Sequence, residues 1–185
     1  MQNLKAKLQN QTAKKGGNSV YFKPTVGRNV VTILPLSYED DAPWVLFNQH
    51  YIDGQYSICK GEGCPYCAKG WALYNENGKK ISDEAKKWLP SQKAALNVNV
   101  NGDNKVWVIS KTMLDQIIEI DEQSNGDIFN VEDGRDLIVM RTGEGKLTKY
   151  NLSAGLEKRT LENWAEIKMT APDLDEVIRG VVPTF

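Results

Sequence analysis

Residues 50–67 read HYIDGQYSICKGEGCPYC, and this stretch holds the only histidine and all three cysteines of the 185-residue chain. A histidine followed by C-x4-C-x2-C offers one imidazole nitrogen and three thiolates, which is the ligand set of a tetrahedral zinc site. These soft and borderline donors favour zinc over magnesium or calcium. The spacing therefore predicts that His50, Cys59, Cys64 and Cys67 bind one zinc ion.

Two other interpretations of the cysteines are weaker. A disulfide would leave one cysteine over, and no signal-peptide pattern marks the chain as secreted. A redox C-x-x-C motif usually lies in a βαβ unit, and the surrounding sequence does not predict one. Because four protein ligands leave no position for water or substrate, we expect the zinc to be structural.

The composition bounds the class of protein. The chain is 41% hydrophobic and 25% charged with a net charge of −1, values typical of one globular domain. No apolar run approaches the ~20 residues that span a bilayer, so we expect no membrane association and a cytosolic location. Residues 1–38 contain no Asp or Glu but carry several lysines. This basic end predicts contact with phosphate or acidic protein, although a merely solvated tail has the same composition.

The sequence divides into three predicted parts. Residues 1–19 are rich in Gln, Asn and Lys and end near Gly-Gly, which indicates a flexible basic arm. Residues 20–157 carry the strand patterns of a core, with the zinc subdomain at about 50–90. Residues 158–185 show helical spacing of apolar residues and form a predicted C-terminal helical segment.

Local patterns predict the elements around the metal-binding stretch. WVLFNQHYI at residues 44–52 has the composition of a strand that leads into the cysteine loop. A helix is predicted from about 65 to 74, because proline suits its first turn and aromatic residues recur at helical spacing. Ser82 and Ser110 each precede a helical pattern and are predicted N-caps.

The remaining pattern indicates the fold. LNVNVN at residues 96–101 alternates strictly, which predicts a half-buried strand with an exposed asparagine face, and IFNV at 128–131 is predicted as a short strand. The order is strands, a helical insertion with zinc, a hairpin, a helix and more strands. We therefore predict a mainly β protein with helices: an OB-fold, a five-stranded Greek-key barrel, with a zinc-binding helical subdomain inserted.

Several segments resemble the single-stranded DNA-binding proteins of T-even bacteriophages, the helix-destabilising proteins of their replisomes. The likeness covers about residues 28–155, and the ordered set of one histidine and three cysteines is its most specific part. The segments that carry it are VVTILPLSYEDDAPWVLFNQHYI (30–52), CKGEGCPYC (59–67), ALYN (72–75), KVWVISKTMLDQI (105–117), DLIVMR (136–141) and TKYN (148–151).

The resemblance implies an OB-fold core with a structural zinc subdomain and a cleft for single strands. It also implies a basic N-terminal arm that makes binding cooperative through self-association along the strand, and an acidic tail that recruits replication and recombination proteins. The present sequence departs from this pattern: it has no long acidic tail, the lysines of its arm are scattered, and Ala94 and Ala95 replace aromatic residues.

Binding of single strands without sequence preference needs aromatic faces for the bases and basic side chains for the phosphates. The candidate DNA contacts are residues at positions that match the family, together with their neighbours in the sequence. For each aromatic ring, packing in the core is the alternative role. The predicted stacking residues are Tyr74, Trp107, Tyr150, Trp71 and Tyr66. The predicted phosphate contacts are Lys105, Lys111, Arg141, Lys146 and Lys149.

We therefore predict a non-enzymatic protein that binds single-stranded DNA and organises it in phage replication, recombination and repair, in the cytoplasm of the infected bacterial host. A zinc-stabilised interaction adaptor of replication or transcription is the alternative. A metal-dependent enzyme is disfavoured, because four protein ligands close the site and no carboxylate pair stands at motif spacing.

Overall fold

The structure is a computed structural model that describes residues 19–180. The predicted arm of residues 1–19 lies outside the described residues except for Ser19, and so do residues 181–185. The boundaries predicted between the three parts of the chain stay a prediction. Among residues 19–180, no helix is long and apolar enough to cross a bilayer.

The described chain alternates strands with short helices. Its strands are β1 (Gly27–Ile33), β2 (Trp44–Ile52), β3 (Gln55–Ile58), β4 (Ser91–Val100), β5 (Asp103–Ser110), β6 (Gly134–Thr142) and β7 (Lys149–Arg159). Its α-helices are α1 (Pro65–Glu76), α2 (Asp83–Trp88), α3 (Lys111–Gln123), α4 (Trp164–Thr170) and α5 (Leu174–Gly180). Two short 3-10 helices cover Glu39–Asp41 and Gly145–Leu147.

Strand β4 is the centre of one seven-stranded antiparallel sheet. The strands lie in the order β3-β2-β4-β1-β6-β7, and β5 pairs with the other edge of β4. Two strands share one edge of β4. The first half of β4 pairs with β2, and Val98 and Asn99 near the end of β4 pair with β1. β5 pairs along the whole opposite edge through a two-residue turn at Asn101 and Gly102.

The prediction of a mainly β protein with helices is confirmed. Five strands lie side by side in the order β5-β4-β1-β6-β7, and α3 connects β5 to β6. The five-stranded Greek-key barrel of an OB-fold stays a prediction. In residues 19–180 the hairpin of β2 and β3 joins the sheet as two further strands. No ladder within this range pairs β5 with β7 to close a barrel.

The sheet has a hydrophobic core on each face. On one face α3 packs Leu114 and Ile117 against strand residues that include Leu96, Trp107 and Leu137. On the other face α5 places Leu174 and Ile178 over Val45, Ala95 and Val106. The predicted C-terminal helical segment therefore completes the second core.

This second core corrects the prediction of an exposed asparagine face on β4. Asn97 is fully buried, because the segment before α5 covers it. Its side-chain amide donates a hydrogen bond of 2.7 Å to the Pro172 carbonyl, and the Tyr38 hydroxyl donates to its side-chain oxygen. The buried amide thus ties the C-terminal segment and the Tyr38 loop to the central strand.

The two helix N-caps predicted from the sequence are present in the structure. The hydroxyls of Ser82 and Ser110 accept hydrogen bonds of 3.1 Å from the backbone amides of Ala85 and Met113, which confirms both N-caps. The predicted strand at residues 128–131 is wrong, because this segment forms turns instead. The Asp121 carboxylate accepts from the backbone amides of Ile128 and Phe129 and holds the turn against α3.

We expect Asn97→Ala to lower the free energy of unfolding by about 1–3 kcal/mol, because it removes both the donor at 2.7 Å from the Pro172 carbonyl and the acceptor of the Tyr38 hydroxyl. Tyr38→Phe removes the hydroxyl that donates to Asn97 and accepts from the Leu174 amide, and it should cost about 0.5–1.5 kcal/mol for each hydrogen bond lost. Urea denaturation followed by circular dichroism measures both. The exposed Asn151→Ala on β7 is the matched control, and an equal cost for Asn97→Ala and Asn151→Ala would contradict the structural role of Asn97.

Candidate metal centre and nucleic-acid interface

The structure brings the four predicted zinc ligands together. The ligand atoms of His50, Cys59, Cys64 and Cys67 all lie within 4.8 Å of one another. His50 is fully buried on β2, and Cys59 directly follows β3, where its backbone amide donates a 2.8 Å hydrogen bond to the Asn48 carbonyl. Cys64 precedes α1 as its N-cap residue, and Cys67 lies in the first turn of α1.

Three distances between the ligand atoms are close to those around a tetrahedrally coordinated ion. His50 Nε2 lies 3.3 Å from Cys64 Sγ and 3.7 Å from Cys67 Sγ, and Cys59 Sγ lies 3.4 Å from Cys67 Sγ. Ligands placed tetrahedrally around zinc at its usual bond lengths are roughly 3.5–3.8 Å apart. These four residues could therefore hold a metal ion such as zinc.

The ionisation of the ligands also favours a cation. Burial raises the pKa of Cys67, and the neighbouring sulfur atoms of Cys59 and Cys64 raise it further, to about 12. Although burial opposes it, the backbone amides of Cys67 and Tyr66 lower the pKa of Cys64. The pKa values of these two thiols are thus shifted in opposite directions, and a dication at the centre would favour the ionised form of all three cysteines.

The imidazole is in the form that binds metals. Burial lowers the pKa of His50, and the backbone of Trp88 partly opposes this effect. The Nε2 atom of His50 points at the sulfur atoms of the cysteines. The buried Nδ1 atom makes no hydrogen bond of good geometry, but the Trp88 backbone lies near enough to raise the pKa of the ring. A neutral ring with Nε2 free to coordinate fits the metal-binding role.

The loop between the cysteines depends on glycine. Gly61 and Gly63 have φ values of 74° and 77°, in the left-handed region that glycine occupies without strain. The Gly61 backbone amide donates to Cys59 Sγ at 3.4 Å, and Pro65 then begins α1. This turn returns the chain so that Cys64 faces His50.

Helix α1 packs its aromatic residues in two different ways. The Tyr66 ring lies 5.2 Å from the His50 ring and 6.3 Å from the Trp88 ring, so it belongs to the packing around the metal centre. Trp71 is 50% exposed and contacts Tyr74 edge-on at 5.5 Å. Trp71 and Tyr74 therefore form an outer aromatic pair on α1.

The structure places Trp107 inside the core, which corrects its predicted role. Its side chain is only 3% exposed and meets Phe22 edge-on, with 5.7 Å between ring centroids. A base cannot stack on a ring whose faces are covered, so the core-packing alternative holds for Trp107. Tyr150 is 39% exposed and lies in a shallow depression beside α3, together with Gln116 and Glu119.

The predicted phosphate contacts are spread over several places. Arg141 donates a 2.7 Å hydrogen bond to the Pro24 carbonyl, Lys105 donates to Ser19, and Lys111 forms an ion pair with Asp115. Lys146 and Lys149 are exposed near the connection between β6 and β7. Arg141 pairs directly with Tyr150 across β6 and β7, so Arg141, Lys149 and Tyr150 share this hairpin, whereas Lys105 and Lys111 lie on other elements.

A different set of aromatic residues does share one groove. Tyr21, Phe22, Phe47 and Tyr56 line a cavity of about 410 Å³, together with Lys23 and Lys93. We call this the aromatic groove. Four aliphatic side chains, Gln49 and Ser110 complete its lining, and among residues 19–180 no carboxylate lines it. Tyr51 extends the aromatic surface, because its ring lies 4.7 Å from that of Tyr56.

Sequence reasoning missed this groove, although strand alternation contained part of the signal. Successive residues of a strand point to opposite faces, so Phe47 and Tyr51 point away from the face that His50 uses for the metal. Tyr51 pairs directly with Tyr56 across the hairpin of β2 and β3. The predicted metal ligand therefore already implied an aromatic opposite face.

The fold and the site define a mainly β protein with a four-residue cluster that could hold a metal ion and an aromatic groove lined in part by lysines. A family model described as gp32 DNA binding protein like matches residues 25–181, which is most of the chain. The chain therefore belongs to this family, and the match confirms the resemblance seen in the sequence. No curated protein matches the chain.

We expect one zinc ion per chain, and we expect Cys64→Ser to lower the melting temperature and the bound metal together, because metal-binding energy is folding energy. Elemental analysis of protein purified without chelator measures the metal. Glu62→Gln changes an exposed carboxylate in the same loop and should leave metal content unchanged. The assignment of a zinc site would be contradicted if the wild-type protein contained no metal and if Cys64→Ser left its melting temperature unchanged.

Proposed function

We propose that this protein binds single-stranded DNA without sequence preference in the aromatic groove. The observation that carries the proposal is that four aromatic rings and two lysines line one groove, with no carboxylate from the described part of the chain. The membership of the chain in a DNA-binding family supports the same conclusion. The proposal concerns a non-enzymatic activity, because the donor set of the metal centre consists of four protein ligands.

The groove suits a flexible strand better than a duplex. Tyr56 and Tyr51 are 61% and 58% exposed, so their faces are available to bases. Stacking accepts any base, since every base has an aromatic face, and the lysines attract phosphates regardless of sequence. Paired bases cannot reach these rings, so binding would favour single strands and shift the melting of a duplex by mass action.

The metal centre would hold one wall of this groove. Phe47 and Gln49 of β2, with Tyr56 and Ile58 of β3, supply that wall. His50 lies between Gln49 and Tyr51, and Cys59 follows Ile58 directly. A bound zinc ion would fix β3 and α1 to β2 and so keep the aromatic residues in place.

The biological role follows from the family resemblance. We infer that the protein protects and organises single-stranded DNA during phage replication, recombination and repair, in the cytoplasm of the infected host. Its proposed partners are single-stranded DNA, replication and recombination proteins, and further copies of itself along the strand. These roles extend the binding activity and do not require chemistry at the metal.

One observation favours a second function, that of an interaction adaptor. The outer pair of Trp71 and Tyr74 lies on α1 and does not line the groove, so these rings are available to a protein. In an adaptor, substitutions in the aromatic groove would leave the main binding activity intact. Fluorescence anisotropy with a labelled oligo-dT and with a duplex of equal length separates the two functions. Equal affinity for duplex and single strand would contradict the proposed groove.

We expect Tyr56→Ala to weaken oligo-dT binding by about 1–3 kcal/mol while leaving the salt dependence nearly unchanged, because stacking involves no charge. Tyr150→Ala tests the remaining sequence prediction under identical conditions. If Tyr150→Ala has the larger effect and Tyr56→Ala has none, the strand binds beside α3 instead of in the aromatic groove. Circular dichroism of each variant confirms that the fold is intact.

We expect Lys93→Ala to reduce the slope of log K against log salt by about 0.7, the value for one phosphate contact with a single strand. Lys80→Ala removes an exposed lysine outside the groove lining and is the matched control. A slope that Lys93→Ala leaves unchanged would mean that Lys93 contacts no phosphate.

A further inference from the structure

Within the described chain, strand β5 leaves part of its outer backbone edge unpaired. The inner edge of β5 pairs with β4 along its whole length. On the outer edge, the Val106 amide donates to the Val20 carbonyl and the Phe22 amide donates to the Val106 carbonyl, both at 2.8 Å. Val106 therefore directs its backbone N–H and C=O away from β4. Because this direction alternates along a strand, Val108 directs its own two groups to the same outer edge.

Pro24 ends the pairing at this edge. A parallel strand that continued past Phe22 would bring the N–H of residue 24 to the Val108 carbonyl, and proline has no N–H to donate. The Pro24 carbonyl instead accepts a hydrogen bond of 2.7 Å from the Arg141 side chain of β6, so the chain leaves β5 here. Among residues 19–180, no hydrogen bond joins the N–H or the C=O of Val108 to another residue.

This unpaired edge opens into the aromatic groove. Val108 packs against the core under α5 and Ile109 lies in the core under α3, yet both residues line the groove. Tyr21 and Phe22 also pack against different cores while lining it. A cavity in contact with both faces of one strand passes the edge of that strand. The N–H and C=O of Val108 therefore point into space that aromatic rings surround.

The backbone of Val108 offers one donor and one acceptor side by side, and this pair complements the base-pairing edge of a nucleobase. Adenine and cytosine carry an amino donor beside a ring-nitrogen acceptor, whereas guanine and thymine carry a ring N–H beside a carbonyl oxygen. Each base can therefore satisfy both backbone groups in one of two orientations. This edge is available only when the base is unpaired.

The same two groups disfavour a phosphate at this point. A phosphodiester has acceptors only, so it would leave the Val108 carbonyl without a donor and place an anion beside it. Lys23 and Lys93 of the groove are the groups suited to phosphates. Bases and phosphates of one strand thus have separate contacts in the groove.

We propose that the backbone N–H and C=O of Val108 bind the base-pairing edge of one base of the strand in the aromatic groove. This inference rests on the proposed function and extends it from stacking to direct hydrogen bonding. A paired base has no free donor and acceptor on that edge, so the contact rejects duplex DNA. Binding stays independent of sequence, because all four bases carry a suitable pair of groups.

The first test changes only the ligand. Anisotropy measures binding of the full wild-type chain to oligo-dT, to the same oligomer built from N3-methylthymine, and to oligo-dU of equal length. N3-methylation removes the ring N–H and blocks the base-pairing edge, while the stacking face and the phosphates are kept. We expect affinity to fall about 10- to 30-fold, the loss of two hydrogen bonds of ordinary net strength, with an unchanged salt slope. Oligo-dU lacks only the C5 methyl group, which lies off that edge, and should lose far less affinity.

The second test removes the donor from the protein. Val108→Pro deletes the outward N–H, and proline is tolerated at an edge position whose N–H takes no part in the ladder. Val108→Ala keeps both backbone groups and is the matched control. We expect Val108→Pro to bind oligo-dT about fivefold more weakly than Val108→Ala, the loss of one hydrogen bond. Its preference for oligo-dT over the N3-methylated oligomer should also shrink.

Equal affinity of the wild type for oligo-dT and the N3-methylated oligomer overturns the proposal. So does a folded Val108→Pro variant that binds oligo-dT as tightly as Val108→Ala. If circular dichroism shows that Val108→Pro has lost its fold, the comparison of oligomers on the wild type decides alone. A wild-type chain that binds none of the three oligomers refutes the proposed function itself, which is a distinct result.

Discussion

The alternation of side chains along β2 connects the two sites of this protein. His50 points to one face of the strand and reaches the three cysteines, whereas Phe47, Gln49 and Tyr51 point to the other. A shift of one residue in the pairing of β2 would move the histidine out of the metal centre and the aromatic residues out of the groove. The geometry of the four candidate metal ligands and the geometry of the groove therefore depend on the same register.

The second constraint is the burial of β4 on both faces. Leu96 and Val98 pack under α3, while Ala95 and Asn97 lie under the C-terminal segment. The side chains of Ala94 and Ala95 are fully buried, one in each core, so neither faces solvent. Ile178 of α5 belongs to the second core and also lines the groove. The C-terminal segment thus contributes to both stability and the proposed binding surface.

Electrostatics act locally in this chain. The net charge of −1 offers no overall attraction to DNA. Lysines instead lie at the groove and at Ser19, while several other cations are engaged in the fold: Arg135 and Lys158 pair with Asp127, and Arg159 pairs with Asp136. Only cations that keep free access to solvent can neutralise phosphates, so the total number of basic residues is a poor guide to the binding surface.

The metal ligands, the capped helices and the family were determined by the sequence itself. His50 and the three cysteines lie within one short stretch, and the caps at Ser82 and Ser110 act on amides three residues away, so neighbouring residues decide both. Alternation along β2 indicated one aromatic face, but only the tertiary structure brings Tyr21 and Phe22 to the same groove as Tyr56. Trp107 and Asn97 show the same limit: a strand pattern gives alternate faces, but Phe22 and Pro172, distant in sequence, determine which faces are covered.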